Sequence, residues 1–275
     1  MDSKEVQEYR KHHGMNFGVL VGMSKSPANA YMKLRGGGIE SESMKLGSAA
    51  HCLILEGEDE FNKRYFILDH HLDMRKKVDK AEFAEIKRVH YDKTILKQEM
   101  GETVWQMNYA VQENLDFMEM LESSKSEIPL YWEERPPNIT KPVICKGLVD
   151  CFNHKRKIGF DLKTTDNLSS FYSKARGFYY DVQASHYISG LEANGYEVES
   201  YYLVGVETKE PYNMEIFELT AEQIAQSNQL RLQWLAAWHG YNDRNYYPPA
   251  KKRSKLIIDR SYELTEGFDK DKDGY

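Results

Sequence analysis

The segment Ile158-Gly159-Phe160-Asp161-Leu162-Lys163 constrains this chain more than any other. Its apolar residues Ile158, Phe160 and Leu162 alternate one for one with Gly159, Asp161 and Lys163. A period of two marks an extended strand, whose successive side chains leave on opposite faces. One face can bury in a core while the other holds an acid and a lysine side by side on a rigid support. A second apolar run, Val143 to Phe152, carries Asp150 near its end, and the polar turn Asn153-His154-Lys155-Arg156-Lys157 separates the two runs. A hairpin of that length brings Asp150 close to Asp161. With the β-prone stretch Ile128 to Trp132 ahead of them, the three runs read as a β-meander.

The sequence around this meander reads as helical. Ser26 is an N-cap followed by Pro27 at the first helical position, and Gly36-Gly37-Gly38 ends the segment. Helices are expected over about Ser43 to Leu55, carrying His51, and over Asp79 to Lys97 and Glu102 to Leu121, where apolar residues recur three or four apart. A long helix from about Ser169 stops at Asn194-Gly195, strands follow at Tyr201 to Val206 and Ile216 to Leu219, and Thr220 with Gln223 forms a capping box that opens a last helix reaching Gly240. Nothing resembles a repeat or a Pro, Gly or Ser-rich linker. One domain is therefore expected over residues 1–249, helical over about 1–125 with its core over about 126–240, followed by a flexible tail at 250–275.

Hydrophobic residues at 41% and charged residues at 29% suit a globular chain. Thirty-seven basic against 43 acidic residues leave a formal charge of -6, which argues against a wholesale polyanion binder but leaves room for a local cleft. Cys52, Cys145 and Cys151 form no CxxC pair, so neither a disulfide framework nor a four-thiolate metal site is written here. With no apolar signal stretch and no run long enough to span a membrane, a cytoplasmic protein with no membrane association is expected.

Two carboxylates converging on one lysine suggest a site for a hard cation. Mg²⁺ accepts few protein oxygens, keeps its waters and takes phosphate oxygens into its octahedron. The lysine can orient and help deprotonate an attacking water and offset negative charge growing on phosphorus. By itself a D-x-K pattern is common, and an ordinary ion pair on a solvated face would look the same.

The flanking sequence narrows the reading. KGLVDCFNHKRKIGFDLKTT resembles the PD-(D/E)xK nuclease signature, with Asp150 at its first acid and Asp161-Leu162-Lys163 at its second acid and lysine. MKLGSAAHCLILE around His51 is similar to the upstream histidine motif, and DVQASHY, with Gln183 and Tyr187, to the downstream Q-x-x-x-Y motif. These blocks fall in the order of the RecE-type (exonuclease VIII-like) branch, related to the RecB nuclease domain and to lambda exonuclease, over about Ser24 to Gly240. The second acid is Asp instead of Glu, and no proline precedes Asp150.

The resemblance implies an α/β, restriction-endonuclease-like core: a central mixed β-sheet flanked by helices, with an N-terminal helical portion. It implies metal-dependent 5′ to 3′ digestion of linear double-stranded DNA, leaving 3′ single strands for an annealing recombinase, by a ring-shaped homo-oligomer of phage or prophage origin in the bacterial cytoplasm. Asp150, Asp161 and the Leu162 carbonyl would hold Mg²⁺, with Mn²⁺ able to substitute and two ions per site; His51 would support an ion. Lys163 would serve the nucleophilic water. Gln183 and Tyr187, one helical turn apart, would hold the lysine, the water or a phosphate.

Some residues keep two readings. Glu127 is either a further ligand or a solvated helix end. Ser24, Lys25 and Ser26 either receive a terminal 5′ phosphate or simply cap a helix, the capping being favoured. Lys251, Lys252, Arg253 and Lys255 either touch DNA or form a solvated segment, and Asp269, Asp271, Asp273 and Gly274 start a calcium-type loop that lacks its closing glutamate. The rival functions are a single-strand or internal nuclease of the same superfamily and a nuclease-like module that only binds DNA.

Overall fold

The structure is a computed structural model that describes residues 4–36 and 41–250. Its first half holds α1 (Lys4–Lys11), α2 (Phe17–Leu20), α3 (Pro27–Leu34), α4 (Glu42–His51), α5 (Glu58–Arg64), β1 (Tyr65–Ile67), α6 (Lys77–Val89), β2 (Thr94–Leu96), α7 (Gln98–Gln112) and α8 (Leu115–Leu121). The second half holds β3 (Ser124–Glu134), β4 (Val143–Asn153), β5 (Ile158–Thr165), α9 (Phe171–Phe178), α10 (Tyr180–Ala193), β6 (Ser200–Glu207), β7 (Met214–Glu218) and α11 (Ala221–Asp243).

The second-half strands form one five-stranded sheet in the order β3-β4-β5-β6-β7. Its neighbours are antiparallel except β5 and β6, which run parallel, so the sheet is mixed. Parallel neighbours need a crossover, and α9 with α10 supplies it. Helices cover both faces. Phe160 and Leu162 of β5 and Val204 and Val206 of β6 pack with Ala49, Ala50, Val104, Met107 and Phe117. Tyr201 and Leu203, on the opposite side of β6, pack with Phe171, Ala184, Leu191, Leu235 and Trp238. Burying each such side chain contributes roughly 1.5–3 kcal/mol, enough to fix which face of β5 turns toward which layer.

Local signals set several helix ends. Ser26 accepts a hydrogen bond from the Asn29 N–H at 3.1 Å and caps α3. The capping box at Thr220 and Gln223 is formed, with Gln223 accepting from the Thr220 N–H at 2.9 Å. Gly195 follows α10 at φ +83°, a left-handed position that glycine occupies without steric cost.

The meander and the two later strands lie where the alternation places them, but four helical expectations need correction. The helix carrying His51 stays α-helical only to that residue, and a π-helical turn takes over at Cys52–Glu56. The segment expected as one helix over Asp79 to Lys97 ends at Val89, and Thr94–Leu96 pairs in parallel with β1 as a two-stranded sheet. The segment over Glu102 to Leu121 is two helices, because Asn114 turns its side chain back to the Phe117 N–H at 2.9 Å and starts a new one. The helix from Ser169 breaks at Tyr179, which stands in the left-handed region at φ +59° between α9 and α10. Gly37, Gly38 and the charged groups of the tail, from Lys251 to Gly274, lie outside the described residues. Among the described residues, no helix is long and apolar enough to cross a membrane.

Candidate active site

The site forms where the regular pairing of the sheet lapses. The β4–β5 ladder runs Asn153 to Ile158, Phe152 to Gly159 and Cys151 to Phe160, and goes no further. Asp150 and Asp161 are the next opposed residues, so they meet at the point where the strands part. The gap is bridged by a side chain: the Leu162 N–H donates to Asp150 Oδ2 at 3.1 Å.

The neighbouring β3–β4 pair lapses at the same level. Ser126 opposes Cys151 and Ile128 opposes Val149, leaving Glu127 across from Asp150 with φ +50°. Ser126 and Ile128 would share a face in an unbroken strand. Instead the Ser126 hydroxyl donates to the Leu55 carbonyl on one side, at 2.6 Å, while Ile128, Leu130 and Trp132 bury on the other. Val149 and Cys151 likewise belong to opposite layers. The pleat therefore changes phase at Glu127 and Asp150. A glutamate in the left-handed region costs on the order of 1 kcal/mol, a strain that packing around it must hold.

His51 completes this corner from outside the sheet. It is the last residue of α4, and its Nδ1 lies 3.5 Å from Asp150 Oδ2. Ser43, Gly47 and His51 succeed one another at four-residue steps, so this edge of α4 faces β5; Thr164 Oγ1 would sit 3.5 Å from a β-carbon at Gly47. One ligand atom from each of His51, Glu127 and Asp150 lies within 4.8 Å of the others. The sequence left Glu127 between ligand and helix-end solvation; the fold puts it inside a strand and beside His51 and Asp150.

Asp161 is fully buried. Its Oδ2 accepts a hydrogen bond from the Tyr201 hydroxyl at 3.1 Å, and its Oδ1 has no hydrogen-bond partner, with the Lys163 ammonium 3.5 Å away. Tyr201 reaches it only because residue 159 is glycine: a β-carbon there would lie 2.6 Å from the Tyr201 ring. Lys163 Nζ stands 5.0 Å from the Tyr180 ring centroid, within cation–π range. Tyr180, Gln183 and Tyr187 recur at helical spacing on α10, and Gln183 donates to the Tyr187 hydroxyl at 3.1 Å.

Burial dominates the electrostatics. It pushes the Asp161 carboxyl up to about 7 against the lowering pull of Lys163, and the nearby Asp150 adds to the rise. Burial also raises Asp150, with Lys163 opposing. It works against the Lys163 ammonium, yet Asp161 and Asp150 outweigh it and leave that pKa above the ordinary lysine value. The His51 imidazole is lowered to about 4, by burial first and Lys163 second, so it is neutral near pH 7 and free to act as a ligand. Burial lifts the Tyr187 phenol well above its usual range, with Asp161 and Asp150 contributing, which places this residue within their field.

These groups fit a divalent cation. A buried carboxylate oxygen without a donor costs roughly 1–3 kcal/mol, and two acids held together beyond their preferred ionisation need positive charge. Asp161 Oδ1 meets the first description, and the trio of His51, Glu127 and Asp150 offers the N and O donors that such an ion takes.

Ser24, Lys25 and Ser26 lie where a 3-10 turn, Val21–Ser24, meets α3. Ser24 Oγ donates to the Val21 carbonyl at 2.7 Å, and Ser26 Oγ caps α3 and also accepts from the Asn29 side chain at 2.8 Å. The Ser26 hydroxyl starts α3, and the Ser24 hydroxyl closes the turn that precedes it. Tyr180 and Tyr201 escaped the sequence reading. Tyr180 lies one turn before Gln183 and could have been found by extending that helical face, whereas Tyr201 gave no signal without knowledge that β6 lies beside β5.

Residues 17–234 match the profile of a family described as "PDDEXK-like domain of unknown function (DUF3799)". The chain belongs to this PDDEXK-like family. It is a member of the PD-(D/E)xK nuclease superfamily, with the mixed sheet and flanking helices of that fold. The crystal structure of a candidate exonuclease from Eubacterium rectale superposes with a TM-score of 0.63 at 13% identity, covering 96% of each chain, and so shares the fold. A phage-related exonuclease from Haemophilus somnus matches 72% of this chain and 94% of its own at 13% identity, with a TM-score of 0.32. No curated protein matches the sequence.

Proposed function

We propose that the protein is a metal-dependent exodeoxyribonuclease that digests linear duplex DNA from its 5′ ends. The observation that carries this reading is the convergence of His51, Glu127 and Asp150 beside the buried Asp161 and the half-buried Lys163. His51, Glu127 and Asp150 would hold the ion, with Asp161 Oδ1 as a further oxygen and the Leu162 carbonyl as the backbone ligand. Mg²⁺ is the proposed ion, Mn²⁺ its substitute, and a pair of ions the full complement. Bound there, such ions supply the positive charge that acidifies a water and offsets charge on attacking and leaving oxygens.

The protein groups have separate tasks. Tyr201 fixes the orientation of Asp161 through Oδ2, leaving Oδ1 for the cation side. Lys163, an ammonium held between Asp161 and the Tyr180 ring, donates to the attacking water and stabilises charge as it grows on the phosphate. As a cation it orients that water and does not take its proton. The Gln183–Tyr187 pair provides an amide and a phenol on the same helix face for a backbone phosphate. The 5′ to 3′ polarity, a partner annealing recombinase and a ring-shaped homo-oligomer rest on the likeness of the motifs to the RecE-type branch.

The test compares wild type with Asp161→Asn on an end-labelled linear duplex and on a covalently closed circle, both with Mg²⁺. Loss of a ligand worth about 3 kcal/mol of transition-state charge slows nucleotide release by at least about a hundredfold. Wild type is expected to shorten the linear duplex from its 5′ ends and spare the circle. Cutting of the circle, or release undiminished in Asp161→Asn, refutes the proposal.

A further inference from the structure

A cavity of about 270 Å³ opens directly beyond Lys163, at the carboxyl end of β5. Thr164, Thr165 and Asp166 line one side, and Phe171, Phe178 and Tyr180 another. The carboxyl ends of parallel strands are where open α/β sheets usually seat ligands. Its size suits one small planar group, since pockets that hold whole drug-sized ligands measure roughly 300–1,000 Å³. Tyr180 is shared: one side of its environment is the catalytic lysine, the other is this cavity.

Phe178 gives the cavity its character. It is 58% exposed, unusual for a phenylalanine, and its ring stacks on Tyr180 with centroids 5.8 Å apart and planes 29° from parallel. The two rings are brought together by the break at Tyr179, whose left-handed backbone at φ +59° is costly for a bulky residue. A straight helix through 171–193 would set Phe178 and Tyr180 about 200° apart around its axis, on opposite sides. The local strain therefore yields an exposed aromatic step next to the catalytic lysine. Lys174, at the rim, pairs with Asp166 and donates to Thr165 Oγ1 at 2.8 Å, so the cavity carries hydroxyls and a cation besides its aromatic wall.

We infer that this cavity is a stacking subsite for a nucleobase, in which Phe178 and Tyr180 receive the base of the nucleotide next to the scissile phosphate. The inference rests on the nuclease reading above. Every base has a π-face, so the subsite grips single-stranded nucleic acid without reading its sequence, and the base has to leave its duplex partner to enter. Phe178 is then a positioning residue that fixes how far the strand advances past Lys163.

The experiment uses the whole protein with Ca²⁺ in place of Mg²⁺, and short single-stranded oligonucleotides in which 2-aminopurine replaces one base at a time. Stacking quenches its fluorescence. Wild type is expected to quench the probe at one position along the strand. Phe178→Ala should lose that quenching and bind about tenfold more weakly, within the range of roughly 1–3 kcal/mol per stacked base, while Phe178→Trp restores both. Equal quenching in wild type and Phe178→Ala, quenching at no position, or failure of wild type to bind the oligonucleotide each overturns the subsite. Nucleotide release from linear duplex is measured separately on the same wild-type preparation with Mg²⁺. Release without quenching sinks the subsite alone, and quenching without release sinks the nuclease reading alone.

Discussion

Tyr201→Phe isolates the hydrogen bond on which the buried acid depends. The substitution keeps the ring over Gly159 and removes only the hydroxyl, which donates to Asp161 Oδ2 at 3.1 Å. Tyr201 and Asp161 are both fully buried, so no bulk water can replace the lost donor. Asp161 Oδ1 has no hydrogen-bond partner, and the variant leaves the carboxylate facing Lys163 at 3.5 Å and the nearby Asp150. At about pH 8.5, above the Asp161 pKa of about 7, the acid is ionised; a hydrogen bond to a charged group contributes roughly 1.5–3 kcal/mol, and at roughly 2–4 °C per kcal/mol for a chain of this size the melting point should fall by about 3–12 °C in EDTA. The partner is identified by repeating the substitution in an Asp161→Asn background. There the bond is between neutral groups and worth roughly 0.5–1.5 kcal/mol, so the second cost should be about half the first, a coupling near 1 kcal/mol. Urea unfolding of the four proteins in EDTA measures it. Costs that agree within about 0.5 kcal/mol in the two backgrounds would mean that the hydroxyl does its work somewhere other than Asp161, and the reasoning fails.

Two other perturbations probe the ion and the helix beneath it. Mg²⁺ at a hundred times its dissociation constant should raise the unfolding free energy of wild type by about 2.7 kcal/mol, and Asp150→Asn should lose most of that gain; equal stabilisation of both proteins by Mg²⁺ would disprove a site at Asp150. His186 is buried against Trp132, with Nε2 at 3.1 Å from the Lys146 carbonyl, and burial, with Arg231 second, lowers its pKa to about 3. Its folded pKa lies below its unfolded value near 6.5, so this residue leaves stability unchanged above pH 6.5 and removes about 1.4 kcal/mol per pH unit as the pH falls from there toward 3. Wild type should therefore lose about 2 kcal/mol more than His186→Gln between pH 6 and 4.5, and parallel unfolding curves would show that His186 takes up its proton in the folded state.

Asp161 and Lys163 were legible because their strand obeys a simple period: Phe160 and Leu162 bury in the layer of α4 and α7, and the intervening residues must face the other way. Asp150 followed from the length of the turn. His51, Gln183 and Tyr187 were legible through short blocks of sequence, not through any periodicity. Glu127 could not be assigned, because nothing in Ser126-Glu127-Ile128 announces a left-handed backbone inside a strand. Tyr179 is the same case, since the glycine of that region is Gly177 and the break falls two residues later. Thr94–Leu96 hid inside an apolar pattern that suits a helix, and its pairing with Tyr65–Ile67 is a contact across distant sequence. Asn114, by contrast, carried a readable cap that the continuous apolar stripe around it masked.

The residues that escaped the sequence share a cause with the chemistry. A regular β3–β4–β5 ladder would pair every backbone group and send side chains at 126, 128, 149 and 151 to one common layer. Asp150 and Asp161 would then be fixed in a continuous ladder, with no break at their level to bring the end of α4 alongside. The change of phase at Glu127, the early end of the β4–β5 ladder and the π-helical turn after His51 together open the sheet at this corner. Each irregularity costs on the order of 1–3 kcal/mol where it occurs, and each is bordered by packed residues: Leu55 and Cys151 beside Ser126, Val149 and Ile128 on the other side. Rigid cores on both faces of the sheet can hold such a defect in a single geometry, which a loop could not. The strained corner therefore holds one donor atom from each of His51, Glu127 and Asp150 within 4.8 Å of the others, the pre-organisation that the proposed metal site would otherwise need a divalent ion to impose on binding.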